Sequence, residues 1–286
     1  MMKTMWKGQP ENSIHELLEF ALLLAHAAEE QILPFFRYAD AYIKPDGTEV
    51  TLADRMAEKV MRNIISTRYP RHGIIGEEYG ALPPSDGRFT WVLDPIDGTS
   101  WFTMGTPLFG TLIGLVDRGE PVLGVIHLPI LQETVYAATG LGCWFKASSA
   151  PAIRTRVAPH VAPVDSVVLA SGLHKSNIMD RSDPHAYNLS NILHTSRKVR
   201  FYGDGIQHTL VCRGYAHAAI DTIMKPWDIA ALVPCVREAG GIISSLEGEQ
   251  ENLIHQQTIL SSCSPQLHQE FLALLKPESR KLALAG

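Results

Sequence analysis

Apolar residues recur at helical spacing near the start of the chain. Leu17, Leu18, Ala21, Leu22, Ala25, Ala28 and Ile32 share one face, with Ser13 placed as N-cap and Glu16 three positions on to complete a capping box. The pattern predicts an amphipathic first helix. A Pro-Asp-Gly turn at 45–47 leads to a second helix over 53–67, stopped before Pro70, with Asp54 in its first turn. A strand-like run from Gly73 to Gly76 ends in Glu77-Glu78, and after a Pro-Pro loop at 83–84 residues 89–93 read as a strand ending in Asp94. Alternating runs at 108–116, 122–127 and 133–138, punctuated by Arg118-Gly119 and Gly140-Leu141-Gly142, predict an antiparallel meander.

Residues 146–165, with Ser148-Ser149 and several alanine-proline steps, read as a linker. They divide the chain into an N-terminal α+β unit, 1–147, and a C-terminal α/β unit, 148–286. In the second unit strands at 167–171, 198–202, 218–223, 242–246 and 258–261 are interleaved with helices after Asp183-Pro184, from Ile206 and from Ile229. Pro234 should kink or open the helix from Ile229. A closing helix over 266–275 has Ser264 as cap and Pro265 at N1. There is no internal repeat, which sets solenoids aside.

Composition narrows the class. With 286 residues, 45% hydrophobic and 19% charged, the chain has the balance of a globular protein with a sizeable core. Its formal net charge is -5 and it carries no basic run, so nucleic acid is not an expected partner. The stretch 17–36 is interrupted by Glu19, His26, Glu29 and Glu30, too many polar groups for a membrane span. Cys143, Cys212, Cys235 and Cys263 form no C-x-x-C pair, which points to reduced, buried thiols. Residues 1–12 lack the apolar core of a secretory signal. A soluble cytoplasmic protein is the expectation. The twelve histidines contain no H-E-x-x-H and are expected mostly at the surface or in loops. Gly140-Leu141-Gly142 precedes no helix, against a dinucleotide site, and no G-x-S-x-G elbow is present.

The densest chemical signal is Asp94-Pro95-Ile96-Asp97-Gly98-Thr99. Two carboxylates three residues apart on a Pro/Gly-constrained loop suit magnesium, which takes oxygen ligands and keeps several waters, and the Ile96 carbonyl offers a third oxygen. A plain turn with a capping Asp explains those six residues equally well. Glu77 and Glu78 add acids upstream, where a solvated loop is the bland alternative. Asp228 adds one downstream, at a helix start where capping alone would account for it. Gly98 and Thr99 can present backbone N–H groups to a phosphate, and a Thr99 hydroxyl paired with Asp54 can activate water.

Taken together, Glu49-Val50-Thr51-Leu52-Ala53-Asp54, Gly76-Glu77-Glu78, Trp91 through Thr99, and Pro226-Trp227-Asp228-Ile229-Ala230-Ala231 through Gly240-Gly241 resemble the ordered motifs of the inositol monophosphatase family. The resemblance covers about Leu17 to Leu275. It implies a layered αβαβα fold, commonly a homodimer, with Glu77, Asp94, the Ile96 carbonyl, Asp97 and Asp228 as Mg2+ ligands. It further implies that Thr99 and Asp54 activate the attacking water and that amides near Gly98 and Thr99 hold the phosphate. The expected reaction is in-line attack of water on a small phosphate monoester, without a phospho-enzyme.

Within the family, His72 through Gly80, Phe109 through Leu115, Pro121 through Ile126 and Lys225 through Asp228 most resemble the histidinol-phosphatase branch. Histidinol phosphate carries an ammonium and an imidazole, and Asp204 and Asp221 are the acids placed to meet them. Each has a bland alternative, a loop turn for Asp204 and a strand end for Asp221. Ser100-Trp101 stands where that branch more often presents an Arg. The competing expectations are an inositol or sugar phosphatase, a nucleotidase acting on 3′,5′-bisphosphorylated adenosine, and a non-catalytic regulatory protein of the same fold.

Overall fold

Helix α1 (Ile14–Ile32) forms where the periodicity places it, and Ser13 Oγ accepts from the Glu16 N–H at 3.2 Å. The Glu16 carboxylate itself pairs with Arg68 at 2.5 Å. The computed structural model describes residues 13–45, 47–172 and 187–276. The expected turn residue Asp46, the segment holding Asp183-Pro184, and everything beyond Lys276 lie outside the described residues.

After α1 come β1 (Ala41–Ile43) and β2 (Glu49–Thr51), an antiparallel pair, then α2 (Leu52–Arg68), β3 (Gly73–Gly76) and β4 (Gly80–Leu82). They are followed by β5 (Phe89–Asp97), α3 (Thr99–Thr103), β6 (Gly110–Asp117), β7 (Glu120–Leu128), β8 (Glu133–Ala138), β9 (Gly142–Ala147) and β10 (Ile153–Arg154). Strands β3 to β10 form one eight-stranded sheet in the order β10-β9-β8-β7-β6-β5-β3-β4. The expected meander is its centre. One junction departs from the antiparallel expectation: β3 runs parallel to β5, Gly76 facing Leu93, so that both strands end at the same edge. The short strands β1, β2, β4, β9 and β10 carry no long alternation and were not expected. Strand β10 also adds a sheet pairing inside the stretch read as linker.

The second half contains β11 (Val167–Ser171), α4 (Leu189–Thr195), β12 (Lys198–Phe201), α5 (Asp204–Cys212), β13 (Ala218–Asp221), α6 (Pro226–Ile229), α7 (Leu232–Glu238), β14 (Ile242–Ser244), β15 (Ile259–Ser262) and α8 (Pro265–Leu275). Its five strands are ordered β12-β11-β13-β15-β14, parallel on the β12-β11-β13 side and antiparallel elsewhere.

Alternation builds the layers. Trp91, Leu93, Ile113, Leu115, Leu123 and Val125 face α1 and α2, whereas Leu112 and Ile126, on the opposite face, pack with Ile206 of α5 and Leu232 and Val236 of α7. Those middle helices also meet Ile243 and Ile259 of the second sheet. Its far face, with Val168, Ile220 and Leu260, is covered by Ile192 of α4 and Phe271 of α8. The result is the αβαβα stack. All four cysteines are buried and unbridged. Most of the described histidines are exposed or half-buried, as expected, but His72, His127, His208 and His268 are buried, each hydrogen-bonded inside the core, as His72 is by the Trp91 indole N–H at 3.1 Å. Among the described residues no helix is long and apolar enough to cross a membrane.

A candidate metal and phosphate site

The segment Asp94 to Asp97 is strand, not loop. Strand β5 continues through Pro95 because the register slips between Asp94 and Asp97, and Thr111 Oγ1 donates to the freed Pro95 carbonyl at 2.8 Å. That irregularity turns both carboxylates toward the interior, Asp94 at 2% exposure and Asp97 at 7%. Gly98 then takes φ 86°, which a side chain would resist, and its carbonyl accepts from the N–H groups of Trp101 and Phe102. The first N–H groups of α3 are left without acceptors inside the helix.

Helix α2 brings Asp54 to the same place. Thr51 caps the helix, and Asp54 Oδ2 accepts from Thr51 N at 2.8 Å and Thr51 Oγ1 at 2.5 Å, a reciprocal cap that locks the carboxylate. Its other oxygen lies 3.4 Å from Thr99 Oγ1, which also donates to the Ile96 carbonyl at 3.0 Å. Burial, offset by the Thr51 bonds, lifts the Asp54 carboxyl to about 6.

Asp228 arrives through a broken helix. It is the third residue of α6 and not the N-cap. The cap position is Lys225, whose N–H donates to the Asp228 carboxylate at 2.7 Å. Pro234 has no N–H to return to Ala230, and the helix parts into α6 and α7 across Ala230-Ala231. The open backbone seats in a notch of glycines on the sheet. A methyl group on Gly114 would stand 2.6 Å from the Ala230 Cβ, and one on Gly124 would stand 2.0 Å from the Ala231 carbonyl oxygen. Pro234 thereby acquires a physical role: it lets the chain approach closely enough for Asp228 to reach β5.

Asp94, Asp97 and Asp228 each offer a carboxylate oxygen, all within 4.8 Å of one another. Asp94 Oδ1 is buried with no hydrogen-bond partner, while Asp97 Oδ2 accepts from the Gly205 N–H at 2.6 Å. Burial, with Glu77, Asp97 and Asp228 nearby, pushes Asp94 well above the usual carboxylate range. Burial with Asp204 and Asp228 does the same to Asp97. Asp228 is raised to about 8, by burial first and then by Glu77. Acids crowded this way cannot all ionise unless a cation joins them, and the all-oxygen donor set with one unpartnered buried oxygen fits a hard divalent ion.

Glu77 stands just outside the triplet. Its carboxylate pairs with Lys44 Nζ at 2.8 Å, and Glu78 binds the same ammonium at 2.6 Å. Burial pushes Glu78 up to about 7. Lys44 lies between two short strands with no motif around it, and sequence reasoning missed it. Asp204, at φ 53°, opens α5 beside Gly98, where a methyl group would lie 2.9 Å from Asp204 Oδ2. Asp221 ends β13, buried. Ser171 Oγ and the Ile223 N–H donate to it, and burial raises it to about 7 despite them. Trp101 packs against Gly203, where a methyl group would stand 2.1 Å from its indole nitrogen, so it fixes the neighbourhood of Asp204. Trp227 packs with Val92, Val116 and Ile254.

Known proteins resemble this chain in sequence and in fold. A histidinol-phosphatase from Chlorobaculum parvum is 39% identical over 235 residues, covering 82% of this chain and 87% of its own. An inositol-1-monophosphatase from Mesorhizobium japonicum is 32% identical over 218 residues, covering 74% of this chain and 77% of its own. Among solved structures, the extragenic suppressor protein suhB from Bartonella henselae superposes with a TM-score of 0.82 at 25% identity, over 92% of this chain and 100% of its own. The profile of the inositol monophosphatase family matches residues 13–280, a span that takes in every carboxylate described above. The chain belongs to the inositol monophosphatase family of phosphoric monoester hydrolases.

Proposed function

We propose that this phosphatase is magnesium-dependent and hydrolyses histidinol phosphate to histidinol and phosphate. The observation that carries the metal reading is the convergence of Asp94, Asp97 and Asp228 beside the Gly98-Thr99 turn. Mg2+ would be held by these three carboxylates, with Glu77 and the Ile96 carbonyl as further oxygens. When bound, it would supply Lewis-acid stabilisation of charge on the phosphoryl and leaving oxygens.

The protein groups have the remaining work. N–H groups of Gly98 and Thr99 would hold the phosphate. The Thr99 hydroxyl, directed at the Ile96 carbonyl and Asp54, keeps its lone pairs free to take a proton from attacking water, with Asp54 behind it as acceptor. Asp54 suits that task because its carboxyl, lifted to about 6, exchanges protons near neutral pH. For the substrate, Asp204 beside Gly98 would meet the ammonium, and Asp221 would face the imidazole from the end of β13.

In this account the N-terminal unit, 1–147, supplies the site's first carboxylates and the C-terminal unit, 148–286, completes it. A cytoplasmic homodimer acting on a small-molecule phosphate ester, with no nucleic-acid or membrane partner, is the setting we infer. The unbridged cysteines and the kinship with the family support it. The resemblance to the Mesorhizobium japonicum protein favours inositol 1-phosphate as the second candidate substrate.

The test is phosphate release by purified protein with magnesium from histidinol phosphate, inositol 1-phosphate and adenosine 3′,5′-bisphosphate side by side. The highest kcat/KM is expected for histidinol phosphate. Preference for inositol 1-phosphate would transfer the assignment to the second candidate. Silence on all three would favour a regulatory protein.

A further inference from the structure

We infer that Glu58 is a positioning residue for Glu77, acting through the turn between β3 and β4, and that it thereby sets the divalent-cation affinity of the site. The inference rests on the metal reading above and extends it to a residue outside the ligand set.

Glu58 follows Asp54 by one helical turn on α2, so both carboxylates project from the same face of one rigid element. It is fully buried, at 0% exposure. A buried carboxylate is costly unless its lone pairs are met, and here they are met by the turn that carries Glu77. Oε2 accepts from the Glu78 N–H at 2.7 Å, and Oε1 from the Tyr79 N–H at 3.2 Å and from Arg62 Nε at 2.7 Å. Arg62 in turn donates to the Gly80 carbonyl. The residue before Glu77 is built for this approach, since a methyl group on Gly76 would stand 2.1 Å from Glu58 Oε1. Glu77 is thus bracketed, with a glycine pressed on the Glu58 carboxylate before it and two amides bound to that carboxylate after it.

The consequence is geometric. Asp54 faces Thr99 and Glu58 grips the Glu77 turn, so α2 acts as one ruler between the hydroxyl at Thr99 and the carboxylate at Glu77. Groups that orient a metal ligand from behind typically change metal affinity by about 10–100-fold when removed. A mere cap of the turn would change stability alone.

The test uses the full chain and Mn2+ as the probe. In Glu58→Gln an amide NH2 replaces one acceptor oxygen and confronts N–H donors, so the turn loses at least one bond. Calorimetric titration should show a Kd for Mn2+ raised about 10–100-fold over wild type, with the magnesium concentration for half-maximal activity moving the same way. Arg62→Met, at a partly exposed position that leaves Glu58 in place, should shift the Kd in the same direction by less, and it carries the test if Glu58→Gln fails to fold. A lowered Tm with the Mn2+ Kd within twofold of wild type in the variants that fold would make Glu58 a structural cap and overturn the inference. Wild-type protein that takes up no Mn2+ would remove the metal reading itself, and this inference with it.

Discussion

Replacing Gly124 with alanine should cost this enzyme activity as well as stability. The added methyl group would stand 2.0 Å from the Ala231 carbonyl oxygen and 2.8 Å from its carbon, both backbone atoms with no side-chain freedom to yield. Moving from 2.0 Å to ordinary contact at 3.4 Å requires the Ala230-Ala231 segment to retreat by about 1.4 Å from the sheet, and overpacking of this kind costs roughly 1–3 kcal/mol. The displaced segment begins two residues after Asp228, and a misplacement of about 1 Å at a site can lower turnover roughly 100-fold. The assay is kcat for phosphate release together with Tm. Gly73→Ala is the control: its methyl group would meet Pro84 Cδ at 2.6 Å, away from Asp228, and should lower Tm while leaving kcat near normal. If Gly124→Ala keeps kcat within twofold while its Tm falls as the control's does, the glycine notch supports the fold and does not place Asp228.

Asp94→Asn removes one ligand charge and should lower kcat by at least about 100-fold, on the scale of a lost transition-state contact; near-normal turnover would reject Asp94 as a ligand. Thr99→Val keeps the shape but deletes the hydroxyl between Asp54 and the Ile96 carbonyl, and should reduce kcat by roughly 100-fold or more with little change in Mn2+ affinity. A fall confined to KM would place Thr99 in binding alone. Above about pH 7, where the buried histidines are neutral in both folded and unfolded chain, stability without divalent cation should decline with rising pH. Asp54, Asp221 and Asp228 are held near 6, 7 and 8, above an unfolded carboxylate near ~4, so the folded chain binds more protons. Their contribution is full below about pH 4 and is lost as pH rises through 6 to 8. Added magnesium should therefore raise Tm more at pH 8 than at pH 5, because the ion takes carboxylates already free of protons; an equal gain at both would contradict it.

Much of this was legible in the residues because the signals were local. The Ser13 cap, the alternation within each run along 108–138 and the four motifs are each read from residues close together in the chain. What escaped was set by tertiary contacts. Strand β5 continues through Pro95 because Thr111 on the neighbouring strand takes up its carbonyl. Asp228 looked like a cap from its place before Ile229, whereas the helix starts at Pro226 and gives way at Ala230-Ala231, where only the distant glycines 114 and 124 leave room for it. Lys44 and Glu58 carry no motif, and their meaning appears only when the turn after β3 folds against them. The buried histidines were invisible for the same reason, since their partners lie on other elements.

The claim on which the rest depends is that carboxylates far apart in the chain share a divalent cation. Anomalous scattering from crystals soaked in manganese tests it directly. An ion peak enclosed by Asp94, Asp97 and Asp228, in reach of Glu77, is the predicted result. Crystals of protein that turns over with the same cation yet show no ion between those three residues would contradict the account.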